Sequence, residues 1–203
     1  RKQCPVIDEC HAEGLGRGFD WLQAREMAWM LVQTRLKIFQ RPRWQDELEV
    51  TTWPSEMGRL LSIREFEVHC KGKRLAAATT LWAFFDRARG RVGRVPPEVA
   101  EVYDVDPRRA VDGGFRRPPR PTGETAWALR QTRKVRLGDL DANRHVNNLR
   151  VVGWLLHMLP DEHLQVRQLT ELNLRYIEEM HRCQVLQVHC QAFDGGAHIH
   201  HRV

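Results

Sequence analysis

Apolar and polar residues alternate with a period of two through most of the chain, and helical periodicity is confined to short stretches. In ELEVTTWP, Leu48 and Val50 point one way and Glu47 and Glu49 the other. In IREFEVHC, Phe66, Val68 and Cys70 alternate with Glu65, Glu67 and His69. Lys71-Gly72-Lys73 reads as a hairpin turn into a returning strand from Arg74 to about Phe85. Ahead of these strands, FDWLQAREMAWMLVQTRLKIF has helical propensity over most of its length. Yet Met30, Val32, Leu36 and Ile38 keep a period of two around Gln33, Arg35 and Lys37. The pattern predicts a short helix over about 21–26 and a strand from about Trp29. CPVIDECHAEGLG reads as the end of a helix that stops at Gly14 or Gly16.

The second half repeats this order. A basic strand covers about 129–136, the polar run DLDANRHVNN follows at 139–148, and an apolar helix spans about 146–159. Leu149, Val151, Val152, Trp154, Leu155, Leu156, Met158 and Leu159 cover nearly the whole circumference of that helix, which predicts burial on most sides. Gly153 would let another backbone come close. In QLTELNLRYIEE, Leu172, Leu174 and Tyr176 share a face. A hairpin closes the chain, with Leu186, Val188, Cys190 and Ala192 opposite Gln187, His189 and Gln191. Because the elements around the apolar helix are antiparallel strands, a sheet must curl around it. The expected class is α+β, built from two tandem helix-plus-sheet halves.

Residues 94–124 break the alternation with prolines, glycines and the arginines Arg108, Arg109, Arg116, Arg117 and Arg120. A solvated connector is the plainer reading, and a basic landing patch the functional one. The domain boundaries drawn from this are 1–95, a linker over 96–124, and 125–203. The 203 residues are 42% hydrophobic and 29% charged, ordinary for a globular protein, and no apolar run reaches membrane-spanning length. The net charge of +6 points to an acidic partner, either nucleic acid or an acidic carrier protein. Cys4, Cys10, Cys70, Cys183 and Cys190 are odd in number and lack CxxC spacing, which favours reduced thiols in a cytosol-like compartment. The chain opens without Met and without a secretory signal, so residues are expected to precede it.

DLDANRHVNNLRVVGW, with LNLRYIEEMHRCQVLQ downstream, resembles the acyl-acyl-carrier-protein thioesterases. The resemblance extends to GLGRGFDWLQAREMAWMLVQTRLKI, PRWQDELEVTTWP and LWAFFDRARGRVGRVPPEV, and so covers nearly the whole chain. It implies two tandem hot-dog domains, each an antiparallel sheet wrapped around a central helix, with the first strand of the first domain apparently missing. It also implies hydrolysis of a fatty acyl thioester on the carrier's phosphopantetheine arm, which releases free fatty acid and terminates chain elongation. The family's catalytic positions fall on Asp141, Asn143, His145 and Glu179. Met180 stands where many plant members have cysteine.

The expected chemistry follows. Backbone N–H groups near His145 and Val146, at a helix N-terminus, would form an oxyanion hole. Asn143 would donate its amide to the carbonyl or orient water, His145 would hydrogen-bond the water or thioester, and Asp141 would orient the amide or imidazole. Glu179, on a strand lining the helix, would be the general base, with direct nucleophilic attack the less favoured role. The plain alternative is an Asp or Asn helix cap beside a surface histidine. Trp29, Trp53 and Trp82 are core residues by default and candidate lining of an acyl tunnel. Arg130, Lys134 and Arg136 would share a strand face that docks the acidic carrier.

Cys183 is expected to be a small core residue rather than a nucleophile. His198, His200 and His201 lack a carboxylate or cysteine at ligand spacing, and neither metal nor cofactor is expected. No phosphate loop, nucleophile elbow or dinucleotide fingerprint occurs. Two other readings stay open: a hot-dog thioesterase acting on acyl-coenzyme A, and a non-enzymatic module binding acyl chains, lipid or nucleic acid. The leading reading carries no nucleic acid and no membrane span. It leaves a homodimer open, and it places the protein in the cytoplasm, or in the plastid stroma if the source is a plant.

Overall fold

The computed structural model describes residues 14–115, 125–141, 143–193 and 198–203. These fall into two compact units, one of the described residues up to 118 together with 169–176, the other of those in 119–168 and 177–203.

The first unit begins with helix α1 (Phe19–Gln23) and strand β1 (Met27–Ile38). The helix is shorter than the sequence suggests and the strand starts two residues earlier than Trp29. Strands β2 (Glu49–Met57), β3 (Leu61–Cys70), β4 (Lys73–Asp86) and the short β5 (Arg91–Val92) follow, then helix α2 (Pro97–Ala100). Lys71 and Gly72 join β3 to β4 with φ of 49° and 77°, the double left-handed turn that matches strand twist in a two-residue hairpin. The helix end read at 4–16 lies mostly outside the described residues.

The sheet order is β2-β3-β4-β1-β7, with β5 on β4. Its last member, β7 (Glu171–Arg175), comes from beyond the boundary drawn at 125: it lies antiparallel to β1, Gln33 opposite Arg175 and Lys37 opposite Glu171. The C-terminal half is therefore not continuous. Alternation shows that a segment is a strand but not which neighbour takes its hydrogen bonds.

Two clusters hold this unit together. Leu22, Phe84, Val99 and Tyr103 form one, and Trp53, Ala77, Ala110 and Val111 the other. Val99, Tyr103, Ala110 and Val111 belong to the stretch read as a solvated linker, so its described part is pinned to the core at these four residues while most of its other side chains stay exposed. Arg108 pairs with Asp106 and stacks over Trp53 at 5.0 Å, while Arg109 pairs with Glu56 at 2.8 Å and Glu65 at 3.3 Å. Both arginines form ion pairs within the unit while their side chains stay exposed, Arg108 at 71% and Arg109 at 38%. Arg116, Arg117 and Arg120 lie outside the described residues.

Glu65 departs most from its pattern, being fully buried rather than on a polar face. Its carboxylate accepts hydrogen bonds from Ser55 Oγ (2.7 Å), Thr79 Oγ1 (2.9 Å) and the Ala110 N–H (3.1 Å), besides Arg109. A charge enters a core only with such a set of partners. Conversely Val50, expected on an apolar face, is exposed at the start of β2, an edge strand with β3 alone beside it.

The second unit is a three-stranded antiparallel sheet of β6 (Thr125–Lys134), β8 (Val185–Phe193) and β9 (His198–Arg202), ordered β6-β8-β9. On β8 Val188, Cys190 and Ala192 are fully buried while Gln187 and Gln191 are exposed, as the alternation predicts. Helix α3 (Asn148–Leu156) buries Val151, Trp154 and Leu155, and the Arg133 guanidinium of β6 lies over the Trp154 ring at 5.4 Å. A short helix α4 (Asp161–Val166) follows it. The apolar circumference of α3 is covered only in part, for Leu149 in its first turn is 77% exposed. A Cβ at Gly153 would meet nothing within 4 Å, so no close backbone approach explains that glycine.

Candidate active site

The polar run preceding α3 folds back on itself. The Asp141 N–H donates to His145 O at 2.8 Å, and the Arg144 N–H donates to Asp141 O at 3.0 Å. Asp141 Oδ1 accepts from two further main-chain donors, Asn143 N–H at 2.8 Å and His145 N–H at 3.2 Å. Short acidic side chains favour such local turns because they reach the backbone two residues on. Arg144 takes φ of 64°, the left-handed conformation that reverses the chain between Asn143 and His145. The helix cap is a different residue, Asn147, whose side chain accepts from the Leu149 N–H at 2.8 Å.

A second segment meets this loop. The Val146 N–H donates to Met180 O at 2.8 Å, and His145 and His181 form an antiparallel bridge. Glu179 and His181 flank Met180, and both side chains reach His145. His145 Nε2 lies 3.3 Å from Glu179 Oε2, and the His145 and His181 rings meet edge to face with centroids 4.8 Å apart at 82°. Beyond His181 the chain turns through Cys183, with φ of 69°, and the Cys183 N–H donates to Val135 O at 3.2 Å. The imidazole of His145 is 27% exposed and the Glu179 carboxylate 42%, so the pair is open to water.

Several expectations change. Glu179 is not on a strand: β7 ends at Arg175, and Glu179 sits in the irregular segment after it. The N–H groups of His145 and Val146 are taken by Asp141 and Met180, so they are not the donors of an oxyanion hole. Asp141 binds the main chain of Asn143 and His145, where orientation of their side chains was expected. Cys183, expected in the core, is exposed in a turn, because the strand of β8 starts only at Val185. His181 was not singled out in the sequence; its spacing of two from Glu179 was the available signal.

Of the other candidate residues, Arg130 and Lys134 are exposed on β6, and Arg136 is exposed just past its end, with its N–H bound to Asp139 Oδ2 at 2.8 Å. Trp29, Trp53 and Trp82 pack within the first unit. Trp29 meets Phe84 edge to face at 4.9 Å, Trp53 Nε1 donates to Arg108 O at 3.0 Å, and Trp82 Nε1 donates to Thr80 Oγ1 at 2.8 Å. His198 and His200 side chains lie outside the described ones; His201 Nε2 is 3.9 Å from Cys190 Sγ. Burial pushes that thiol up to about 11.

Comparison with known proteins divides the chain in sequence order, so that β7 falls in the C-terminal match. Residues 4–103 match the family model described as the acyl-ACP thioesterase N-terminal domain, and residues 124–202 match its C-terminal counterpart. A palmitoyl-acyl carrier protein thioesterase, chloroplastic, of Cuphea hookeriana is 30% identical over 180 residues, covering 86% of this chain and 43% of the relative. The chain thus spans less than half the length of such curated relatives. Two solved structures share the fold. An acyl-ACP thioesterase from Bacteroides thetaiotaomicron has a TM-score of 0.76 and 21% identity, covering 96% of this chain and 82% of its own. A 12:0-ACP thioesterase from Umbellularia californica has a TM-score of 0.75 and 24% identity, covering 94% and 76%.

Proposed function

Because the chain belongs to the acyl-ACP thioesterase family, with its hot-dog fold, we propose that it hydrolyses the thioester between a fatty acyl chain and acyl carrier protein. The reaction releases free fatty acid and ends chain elongation. The observation that carries this reading is the 3.3 Å approach of His145 Nε2 to Glu179 Oε2 beside the Asp141–His145 turn.

Glu179 removes a proton from water, and the water oxygen attacks the thioester carbonyl carbon. The carbonyl electron pair moves onto oxygen, where the Asn143 amide donates to it. Collapse re-forms the carbonyl and breaks the carbon–sulfur bond. The thiolate leaves readily, since its thiol has a pKa of about 8.5, and it takes up the proton held by Glu179. His145, with Nε2–H directed at Glu179, holds the carboxylate toward the water. Asp141 keeps Asn143 and His145 in register through their main chain.

Arg130, Lys134 and Arg136, all exposed, suit an acidic carrier protein; coenzyme A would need only a compact phosphate pocket. We place the reaction in the cytoplasm, or the plastid stroma for a plant chain, because Cys70, Cys183 and Cys190 are free thiols and the Cuphea relative is described as chloroplastic. Among the described residues no helix is long and apolar enough to cross a membrane. The test is release of thiol from acyl-carrier and acyl-coenzyme A thioesters by the wild-type chain and by Glu179→Gln. Activity on the carrier thioester that Glu179→Gln abolishes is expected. A higher kcat/KM on the coenzyme A thioester would transfer the assignment to that substrate.

A further inference from the structure

The geometry points to a divalent metal site, of the zinc and cobalt class, formed by His145, Glu179 and His181. One ligand atom from each of these side chains lies within 4.8 Å of the other two. Two imidazoles and a carboxylate are a donor set that borderline metals prefer, and three protein ligands with an open fourth position is the arrangement of zinc sites that retain water. With metal–ligand bonds of roughly 2.0–2.2 Å, tetrahedral ligands stand about 3.3–3.5 Å apart. His145 Nε2 and Glu179 Oε2 are already 3.3 Å apart. The third ligand atom, on the exposed side chain of His181, lies within 4.8 Å of the other two and has to close to the same spacing on binding.

The backbone holds the ligands in place. His145 and His181 are bridge partners, the Val146 N–H donates to Met180 O between them, and Gln184 Oε1 accepts from the His181 N–H at 2.6 Å. The Asp141 turn fixes His145 from the other side. This preorganisation distinguishes the cluster from exposed acidic and imidazole groups that meet by chance on flexible side chains.

Occupancy has a consequence that rests on the thioesterase reading. A metal bound to Glu179 Oε2 and His145 Nε2 would replace the contact between them and draw charge from the carboxylate, which weakens it as a base for water. Zinc therefore acts as a reversible inhibitor, and His181, which the proposed hydrolysis does not use, confers the sensitivity.

Metal binding is read directly. The apo chain is titrated with cobalt(II), and the visible absorption of a low-symmetry site is followed before displacement by zinc. One site per chain is expected, with affinity at least ~10-fold weaker in His181→Ala, as even outer-shell changes cost 10–100-fold. His181→Gln serves if the alanine variant misfolds by circular dichroism. A His198→Gln/His200→Gln chain should keep the signal. No cobalt spectrum, or a spectrum lost with His198 and His200 and kept without His181, overturns the site. In the second arm, zinc should slow thioester hydrolysis by the wild type, with recovery on adding EDTA, and should leave His181→Ala at its own metal-free rate. Cobalt binding without any hydrolysis, with or without EDTA, would defeat the thioesterase reading and keep the metal site. Hydrolysis without cobalt binding would do the reverse.

Discussion

Val146 donates its main-chain N–H to the carbonyl oxygen of Met180 at 2.8 Å, and this bond stitches the polar turn to the segment bearing the carboxylate. Its neighbours on the two segments, His145 and Glu179, lie 3.3 Å apart. The proposed base and its orienting imidazole therefore owe their spacing to backbone pairing rather than to long flexible side chains.

Replacing that base is the direct test of the mechanism. Glu179→Gln should retain the fold and lose ~10²–10⁴-fold in turnover, the usual contribution of a positioned general base. Single-turnover hydrolysis in ¹⁸O-water should place the label in the fatty acid. Label in the Glu179 carboxyl would instead mark direct attack by that side chain.

Asp141 should behave as a turn anchor. Asp141→Ala removes the acceptor of two N–H groups and should cost about 0.5–2 kcal/mol by analogy with lost cap acceptors, along with most activity. Asp141→Asn keeps an acceptor oxygen and should recover much of both. Thermal melts and kcat together decide; an inactive but fully stable Asn variant would mean that the negative charge itself is needed.

No cysteine should be essential. Cys183 is exposed and should react with an alkylator, while Cys190 is buried, its thiol pushed up to about 11, and should resist. Hydrolysis should survive modification of Cys183. Complete loss in both the alkylated protein and Cys183→Ala would reverse this conclusion.

Glu65 supplies a stability prediction away from the site. Glu65→Ala leaves Ser55, Thr79 and the Ala110 N–H without their shared acceptor, and Arg109 without one of its carboxylates. A loss of roughly 3–5 kcal/mol is expected, the scale for breaking a buried ion pair from one side, measurable by urea unfolding. A change under 1 kcal/mol would mean that water replaces the carboxylate.

Docking of an acidic carrier on Arg130, Lys134 and Arg136 should depend on salt, since exposed charges act over about 8 Å at physiological ionic strength. Raising salt should weaken KM for the carrier thioester and affect a short acyl-thiol mimic far less. Changing all three residues to Glu should reproduce the high-salt behaviour. Equal salt sensitivity for both substrates would assign the charge another purpose.

How far the sequence discloses this molecule depends on the range of the interaction. The Lys71-Gly72 turn and the buried face of Val188, Cys190 and Ala192 are local patterns, and they are as expected. His145 and Glu179, which the family motif names together, lie 3.3 Å apart. Glu65 is hidden because its partners Ser55, Thr79, Arg109 and Ala110 are scattered through the chain. The identity of the helix cap was ambiguous among several Asp and Asn residues, and the choice of Asn147 depends on where the turn closes. His181 gains its meaning only once the 145 and 181 segments pair.

The strand order of the first unit carries a consequence for biosynthesis. Without β7, β1 is an open edge whose N–H and C=O groups from Gln33 to Lys37 have no partner on one side. An emerging chain cannot complete that sheet until Arg175 has cleared the ribosome, after most of the second unit has already been made. Until then the exposed edge is a template for pairing with other nascent chains. A fragment cut at the 124 boundary would lack β7 and keep that edge open.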